Sequence, residues 1–318
     1  MRIVKVVVVA LPVIALAILA CIHLAPEQAL HVALAAERSR SGLERKQIDL
    51  ADGQHWVYLE GGRGEPLLLL HGFGADKDNF TRVARFLTPH YRVIVPDLIG
   101  FGESAHPANA DYSPSAQAER VRALVQALGI PTVHIGGSSM GGQIAMTYAA
   151  SHPTEVKSLW LIDPAGVWSA PESELQRMMR ESGHNPLMAR SEEEFATVVS
   201  FVMTDPPFMP RPMLNVMARE RIRNFDLETR IFKQVRSDSI ETRIAGMNTR
   251  TLIVWGEKDR AINVAAADIL HKLLPNSQVI TLPGVGHLPM LERPRKSAED
   301  YLAFRQSFKG HGDIESSH

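Results

Sequence analysis

The chain has 318 residues, a formal net charge of −1, 22% charged and 45% hydrophobic residues. That length holds one large α/β domain with an insertion, or two domains, and the composition is that of an ordinary globular protein. The charge balance, with no Lys/Arg-rich run, gives no sign of a nucleic-acid surface. A single cysteine, Cys21, excludes intramolecular disulfides and cysteine-based metal clusters.

Arg2 and Lys5 precede Val6 to Ala25, a run of 20 residues without a charge. At ~1.5 Å per residue it reaches about 30 Å, the thickness of a bilayer core. Three readings compete. Ala33-Leu34-Ala35 resembles a signal-peptide cleavage site, although the apolar run is long for a signal. Ile18-Leu19-Ala20-Cys21 loosely resembles a lipobox, with Leu19 bulky for that position. The length itself favours an uncleaved single-pass anchor, in which Pro12 and Pro26 are tolerated. The flanking positive charges then keep the N-terminus cytoplasmic and put the bulk of the chain on the outer side, periplasmic if the source is bacterial. A homodimer through the span stays open, the run having no G-x-x-x-G.

Glu27 to Arg45 is alanine-rich and reads as a helix leading away from the span. Strands are expected at Gln54 to Glu60, Pro66 to Leu70, Arg92 to Val95, Thr132 to Ile135, Val156 to Ile162, Thr251 to Trp255 and Gln278 to Leu282. Pro66 to Leu70 is continuously apolar, as in a strand buried on both faces. Phe80 to Leu87 reads as a short helix. Ser113-Pro114 opens another, with Val121, Leu124, Val125 and Leu128 at helical spacing and Gly129 as its stop. A closing helix starts near Pro294, with Tyr301, Phe304 and Phe308 in register. Strands alternating with helices predict a doubly wound, mostly parallel sheet. His71, Ser139, Asp163, Asp259 and His287 all fall at carboxyl ends of strands, where such sheets bind ligands.

Gly166 to Met247 breaks the alternation and reads as helical. Ser191-Glu192-Glu193-Glu194 fits a capping box, and seven of the 12 methionines lie between Met178 and Met217. An inserted helical block rich in adaptable methionine suits a lid over an apolar pocket. The expected organisation is an anchor at 1–27, a juxtamembrane helix and linker at 28–50, a core split as 51–165 and 248–318, and a helical lid at 166–247.

The chemistry centres on Gly137-Ser138-Ser139-Met140-Gly141, a G-x-S-x-G between a predicted strand and a predicted helix. A turn that tight needs glycine two residues either side of the serine, and it aims the helix N-terminus at the reacting oxygen. Ser138 cannot take the role because its +2 position is Met140. A serine hydroxyl needs a base, and the base needs an acid to orient it. The order Ser139, Asp259, His287 supplies both, with Asp163 as the alternative acid and Asp97 as a cap for its own glycine loop. His287 sits in a glycine-rich loop, whereas His152, His184 and His271 lie away from strand ends. Backbone N–H groups of Phe73 and Met140 are the expected oxyanion donors; His71, Gly72, Gly137 and Gly141 shape the turns around them. No His/Asp/Glu group has metal-ligand spacing, and this chemistry needs no cofactor.

Over about residues 50 to 310 the chain resembles the α/β-hydrolase superfamily. The string His71-Gly72-Phe73-Gly74-Ala75-Asp76-Lys77-Asp78-Asn79-Phe80 is similar to the bacterial family V lipases and esterases, and the N-terminal span adds a likeness to the membrane-anchored phospholipases A1 of that group in pseudomonads. The resemblance implies hydrolysis of lipid acyl esters through Ser139, Asp259 and His287, with Phe73 and Met140 as oxyanion donors. Ser138 stands where relatives often carry Asn. Within the fold, aspartate-nucleophile dehalogenases and epoxide hydrolases are disfavoured by Ser139. Carbon–carbon bond hydrolases and cofactor-free peroxidases keep a serine triad and stay open, as does a non-catalytic binding protein on the same scaffold.

Overall fold

The computed structural model describes residues 16–51 and 53–307. The first ten residues of the apolar run, 6–15, lie outside the described residues, as does Phe308.

Helix α1 is described over Leu16–Leu24 and turns by 116° into α2, Pro26–Arg40. Among the described residues no single helix is long and apolar enough to cross a membrane; only this bent pair together meets the length and composition. Helix α2 is fastened to the core by Arg38, whose Nε and Nη2 donate to the Asp78 carboxylate at 2.7 and 2.5 Å. The Ser41 hydroxyl adds a bond to Thr81 C=O at 2.7 Å.

Eight strands follow in one sheet: β1 Leu43–Asp49, β2 His55–Gly61, β3 Glu65–Leu70, β4 Tyr91–Pro96, β5 Val133–Ser138, β6 Val156–Ile162, β7 Thr251–Gly256 and β8 Ser277–Leu282. Their spatial order is β1-β2-β4-β3-β5-β6-β7-β8. Strand β2 pairs antiparallel with both neighbours; every pair from β4 onward is parallel. Strand β3 shows why its sequence is continuously apolar. Leu68 and Leu70 pack into the core on one sheet face, Leu67 and Leu69 into the core on the other, and all four are fully buried.

Strand β1 departs from the expected helix and linker. Leu43 to Asp49 reads Leu-Glu-Arg-Lys-Gln-Ile-Asp and is largely exposed, so it carries no apolar alternation. It is an edge strand held by its backbone ladder to β2, from Leu43 opposite Gly61 to Asp49 opposite His55. The sheet therefore begins in the stretch read as a linker.

The helices of the core are α3 Thr81–Ala84, preceded by a 3-10 turn at Lys77–Phe80, then α4 Pro114–Ala127 and α5 Met140–Ser151. As expected, the Ser113 side chain caps α4, accepting from Ala116 N–H at 3.3 Å. Between β6 and β7 the described residues form only helices: α6 Glu174–Ser182, α7 Glu192–Val202, α8 Arg211–Arg223, α9 Phe225–Arg236 and α10 Glu241–Ile244. Ser191 caps α7, accepting from Glu194 N–H at 3.1 Å. The expected return bond is not made: Glu194 turns outward to the Arg190 N–H at 2.6 Å. The full capping box belongs to Ser173 and Gln176 on α6. The chain closes with α11 Ala266–Leu273, α12 Pro289–Glu292 and α13 Pro294–Gln306.

Candidate active site

Ser139 stands between β5 and α5 with φ 53° and ψ −119°, a region that non-glycine residues rarely adopt. The flanking glycines are steric necessities. A Cβ on Gly137 would sit 2.3 Å from Gly141 C=O, and one on Gly141 would sit 2.1 Å from Leu70 C=O. The backbone of Ser139 is pinned on both sides: its N–H donates to Ile162 C=O at 3.0 Å, and its C=O accepts from Ala165 N–H at 3.0 Å and Gln143 N–H at 3.1 Å. Although Ser139 is the N-cap of α5, its hydroxyl makes no capping bond and faces the cavities described below.

His287 Nδ1 bonds Asp259 Oδ2 at 2.8 Å. Asp259 also accepts from the Trp255 indole at 3.2 Å and, through Oδ1, from Ala261 and Ile262 N–H at 2.8 and 3.0 Å. So surrounded, the Asp259 side chain is fully buried and both of its oxygens have donors. An acceptor on that side fixes Nδ1 as the protonated nitrogen and leaves Nε2 free to take a proton.

Asp163 is fully buried and also has a positive φ, 44°. It does not bond His287; its Oδ1 accepts from Gly256 N–H at 2.8 Å. Burial raises its pKa well above the usual carboxylate value, and the neighbouring Asp259 carboxylate raises it further. Asp163, Asp259 and His287 hold potential ligand atoms within 4.8 Å of one another, but the facing atoms of Asp259 and His287 are spent on each other.

Gly72 brings the loop after β3 against the serine: a Cβ there would be 3.2 Å from Ser139 Cβ. Phe73 and Met140 both border the pocket beside Ser139, and neither backbone N–H donates to a protein acceptor among the described residues. His71 is buried behind this loop. Its Nε2 accepts from Leu98 N–H at 2.9 Å, so Nδ1 carries the proton donated to Gly72 C=O at 2.8 Å. Burial lowers its pKa to about 4, so it is a neutral brace. Asp97 takes the capping part expected of it, accepting Glu103 N–H at 2.9 Å, and in addition holds the buried Lys77 ammonium at 2.8 Å.

Two openings meet at Ser139. A small pocket of about 60 Å³ is walled by Trp168, Met179 and Phe232. A larger cavity of about 410 Å³ is bounded by Phe73, Ser139 and His287, by Val198, Met209 and Met217 of the helical block, and by Leu30 and Leu34 of α2. Met213 is buried but not part of that wall. Glu220 on α8 also faces the larger cavity; burial first, then Asp76 and Asp97, raises its pKa to about 7.

Two residues that sequence reading passes over tie the helical block to this site. Glu292 accepts Gly286 N–H at 2.9 Å through one oxygen, and Thr204 and Asp205 N–H at 3.0 Å each through the other. It thus joins the loop of His287 to the end of α7, where His287 N–H also meets Val202 C=O at 2.8 Å. The signal was a lone carboxylate closing the apolar stretch Leu288-Pro289-Met290-Leu291. Arg221 of α8 is buried against the loop of Phe73; in sequence it is one charge among Arg219, Glu220 and Arg223, with nothing to single it out.

Known proteins match the chain over most of its length. Residues 65–294 match the family described as alpha/beta hydrolase fold. Lipase 1 of Psychrobacter immobilis is 47% identical over 277 residues, covering 85% of this chain and 86% of the relative. Lipase 3 of Moraxella sp. (strain TA144) is 47% identical over 281 residues, covering 86% and 88%. The crystal structure of a membrane phospholipase A, described as a bacterial virulence factor, superposes with a TM-score of 0.87 at 37% identity, covering 97% of this chain and 99% of that one. With its strand order, its strained serine turn and a family match over most of its length, this chain belongs to the α/β-hydrolase fold family.

Proposed function

We propose that the protein is a serine hydrolase that cleaves carboxylic esters of lipids through an acyl-enzyme. The observation that carries this reading is the 2.8 Å bond from His287 to a buried Asp259, facing an apolar cavity that also holds Ser139. In the proposed cycle His287 Nε2 takes the Ser139 proton as Oγ attacks the acyl carbonyl. The Phe73 and Met140 N–H groups receive the developing oxyanion, and His287 returns the proton to the departing alcohol oxygen. Water, deprotonated by the same nitrogen, then releases the fatty acid. The names of the two lipases and of the membrane phospholipase A support a lipid substrate. So do the apolar walls supplied by residues 166–247, which act in this reading as the lid of a core formed by the rest of the sheet.

A panel of p-nitrophenyl esters of rising chain length, run beside phospholipids and glycerides, tests the proposal. Turnover should be found on the panel and vanish in Ser139→Ala, and a serine-directed phosphonate should label Ser139 alone. A flat zero across the panel, or labelling at Ser138, sinks it.

We further propose that residues 6–25 anchor the chain in a membrane, with the N-terminus cytoplasmic. The support is the charge-free run itself: each Asp, Lys or Arg at its centre would oppose insertion by about 2.5–3.5 kcal/mol, and it has none. The protein should stay with membranes through high-salt and carbonate washes, and removal of residues 1–25 should release it. Loss of retention in Cys21→Ser, with a lipid-sized mass adduct on the wild type, would establish a lipoprotein instead. An intact mass lacking these residues would establish a cleaved signal.

A further inference from the structure

The loop from Gly72 to Asp76 carries the Phe73 N–H. It contains Gly72 and Gly74, the latter at φ +67°, so its own backbone does little to make it rigid. At its start the core holds it, through His71 on Gly72 C=O at 2.8 Å and Ala75 N–H on the same oxygen at 3.3 Å. On its far side the hold comes from the helical block. Arg221 Nη1 donates to Gly74 C=O at 2.8 Å. The guanidinium lies so close over this glycine that a Cβ there would sit 2.2 Å from Cζ. The same group lies 5.7 Å from the centroid of the Phe73 ring.

The guanidinium is itself aimed. Its Nε donates to both Glu228 oxygens at 2.7 and 2.8 Å, and its Nη2 to Leu187 C=O at 2.8 Å. Arg221 is 9% exposed and Glu228 3%. A buried ion pair of this kind is a poor device for stability, since apolar residues of like volume commonly do as well or better. A planar fork with fixed donor directions is a good device for holding a peptide in place.

We infer that Arg221, aimed by Glu228, is a positioning residue for the oxyanion hole: it fixes the Phe73–Gly74 segment from the helical block, so the hole is complete only while that block is seated. The inference rests on the reading of Phe73 N–H as an oxyanion donor in an ester hydrolase. Removing a whole donor costs about 10²–10³ in rate, and misplacing reacting groups by about 1 Å can cost about 10². Loosening one donor should therefore cost between about 10-fold and 100-fold.

The test is the double variant Arg221→Met with Glu228→Leu, which removes both charges together and leaves neither one buried alone. It is compared with wild type and Ser139→Ala on one p-nitrophenyl ester. A trifluoromethyl ketone of the same chain length, which adds to the serine oxygen and places an oxyanion in the hole, serves as inhibitor. Expected are a kcat lower by about 10-fold to 100-fold, KM within about threefold, and an inhibition constant raised by the factor by which kcat falls. A folded double variant with unchanged kcat and inhibitor affinity overturns the inference, as does a kcat loss without any loss of inhibitor affinity. Where the double variant fails to fold, Glu228→Gln keeps the volume and one acceptor. It should show the same paired change at smaller size, and no change there also overturns the inference. A wild type inert on every ester would instead remove the hydrolase reading beneath it.

Discussion

Asp163 and Asp259 follow neighbouring strands and bring carboxylate oxygens within 4.8 Å of each other, yet only Asp259 bonds His287. Two carboxylates that close do not both stay charged in a buried site. Burial, and then the neighbouring Asp259 carboxylate, push the Asp163 carboxyl well above the usual carboxylate range, while Asp259 spends its oxygens on four donors.

Asparagine imitates a neutral carboxyl, so Asp163→Asn should keep most of the turnover. Asp259→Asn should lose about 10⁴ in kcat, the cost of the wrong histidine tautomer in a comparable triad. The two kcat values on one ester decide the matter; the reverse ranking would assign the acid to the strand before.

Glu292 faces three backbone N–H groups, those of Gly286, Thr204 and Asp205. An amide in its place would point its own N–H at one of them. Glu292→Gln should therefore lower stability by about 2 kcal/mol, roughly 4–8 °C in melting temperature, and lower kcat because Gly286 directly precedes His287. Calorimetry beside steady-state kinetics checks both, and a variant with wild-type melting would show that the carboxylate contributes nothing there.

Glu220 has a pKa of about 7 in the fold against an ordinary 4.5. Burial first, then Asp76 and Asp97, push it up, and Lys77 and Arg223 oppose them. Because the folded value is the higher one, the fold favours the neutral acid. Its contribution to stability is fully present below about pH 4.5 and is lost as pH rises through about 7. Glu220→Gln should thus melt about 2–4 °C above wild type near pH 8, and no higher near pH 4. Equal melting temperatures at both pH values would show that this carboxyl titrates normally.

Met217 lines the larger cavity, whereas Met213 is buried outside its wall. Met217→Gln should shift the preferred acyl-chain length with little change in melting. Met213→Gln should do the opposite, lowering the melting temperature and leaving the profile alone. Identical profiles for Met217→Gln and wild type would make that cavity irrelevant to substrate length.

The strands that carry the site were legible because burial on both faces leaves nothing but apolar residues between turn-forming glycines and prolines. Pro66 to Leu70 is the clearest case, lying within β3. Ser139 and Asp259 were legible as candidates because they follow such strands, β5 and β7, and His287 because it stands in a glycine loop after the half-exposed β8. Strand β1 was hidden by its own exposure, since an edge held by backbone bonds places no demand on side-chain pattern. The capping box at Ser191 was half legible: the serine does cap, but Glu194 had a competing N–H at Arg190. Arg221 and Glu292 were illegible for a different reason. The partners that tie them to the site include main-chain groups 147 residues away at Gly74 and 88 residues away at Thr204, and a main-chain partner leaves no trace in residue type.

The backbone at residue 139, φ 53° and ψ −119°, is one that glycine adopts freely and serine does not. Holding serine there costs of order 1–3 kcal/mol, so Ser139→Gly should leave a protein about 1 kcal/mol more stable and unable to turn over. Folding and turnover thus prefer different residues at this one position. A random library of this chain sorted only for heat resistance should enrich glycine there, drifting toward well-folded, dead enzyme.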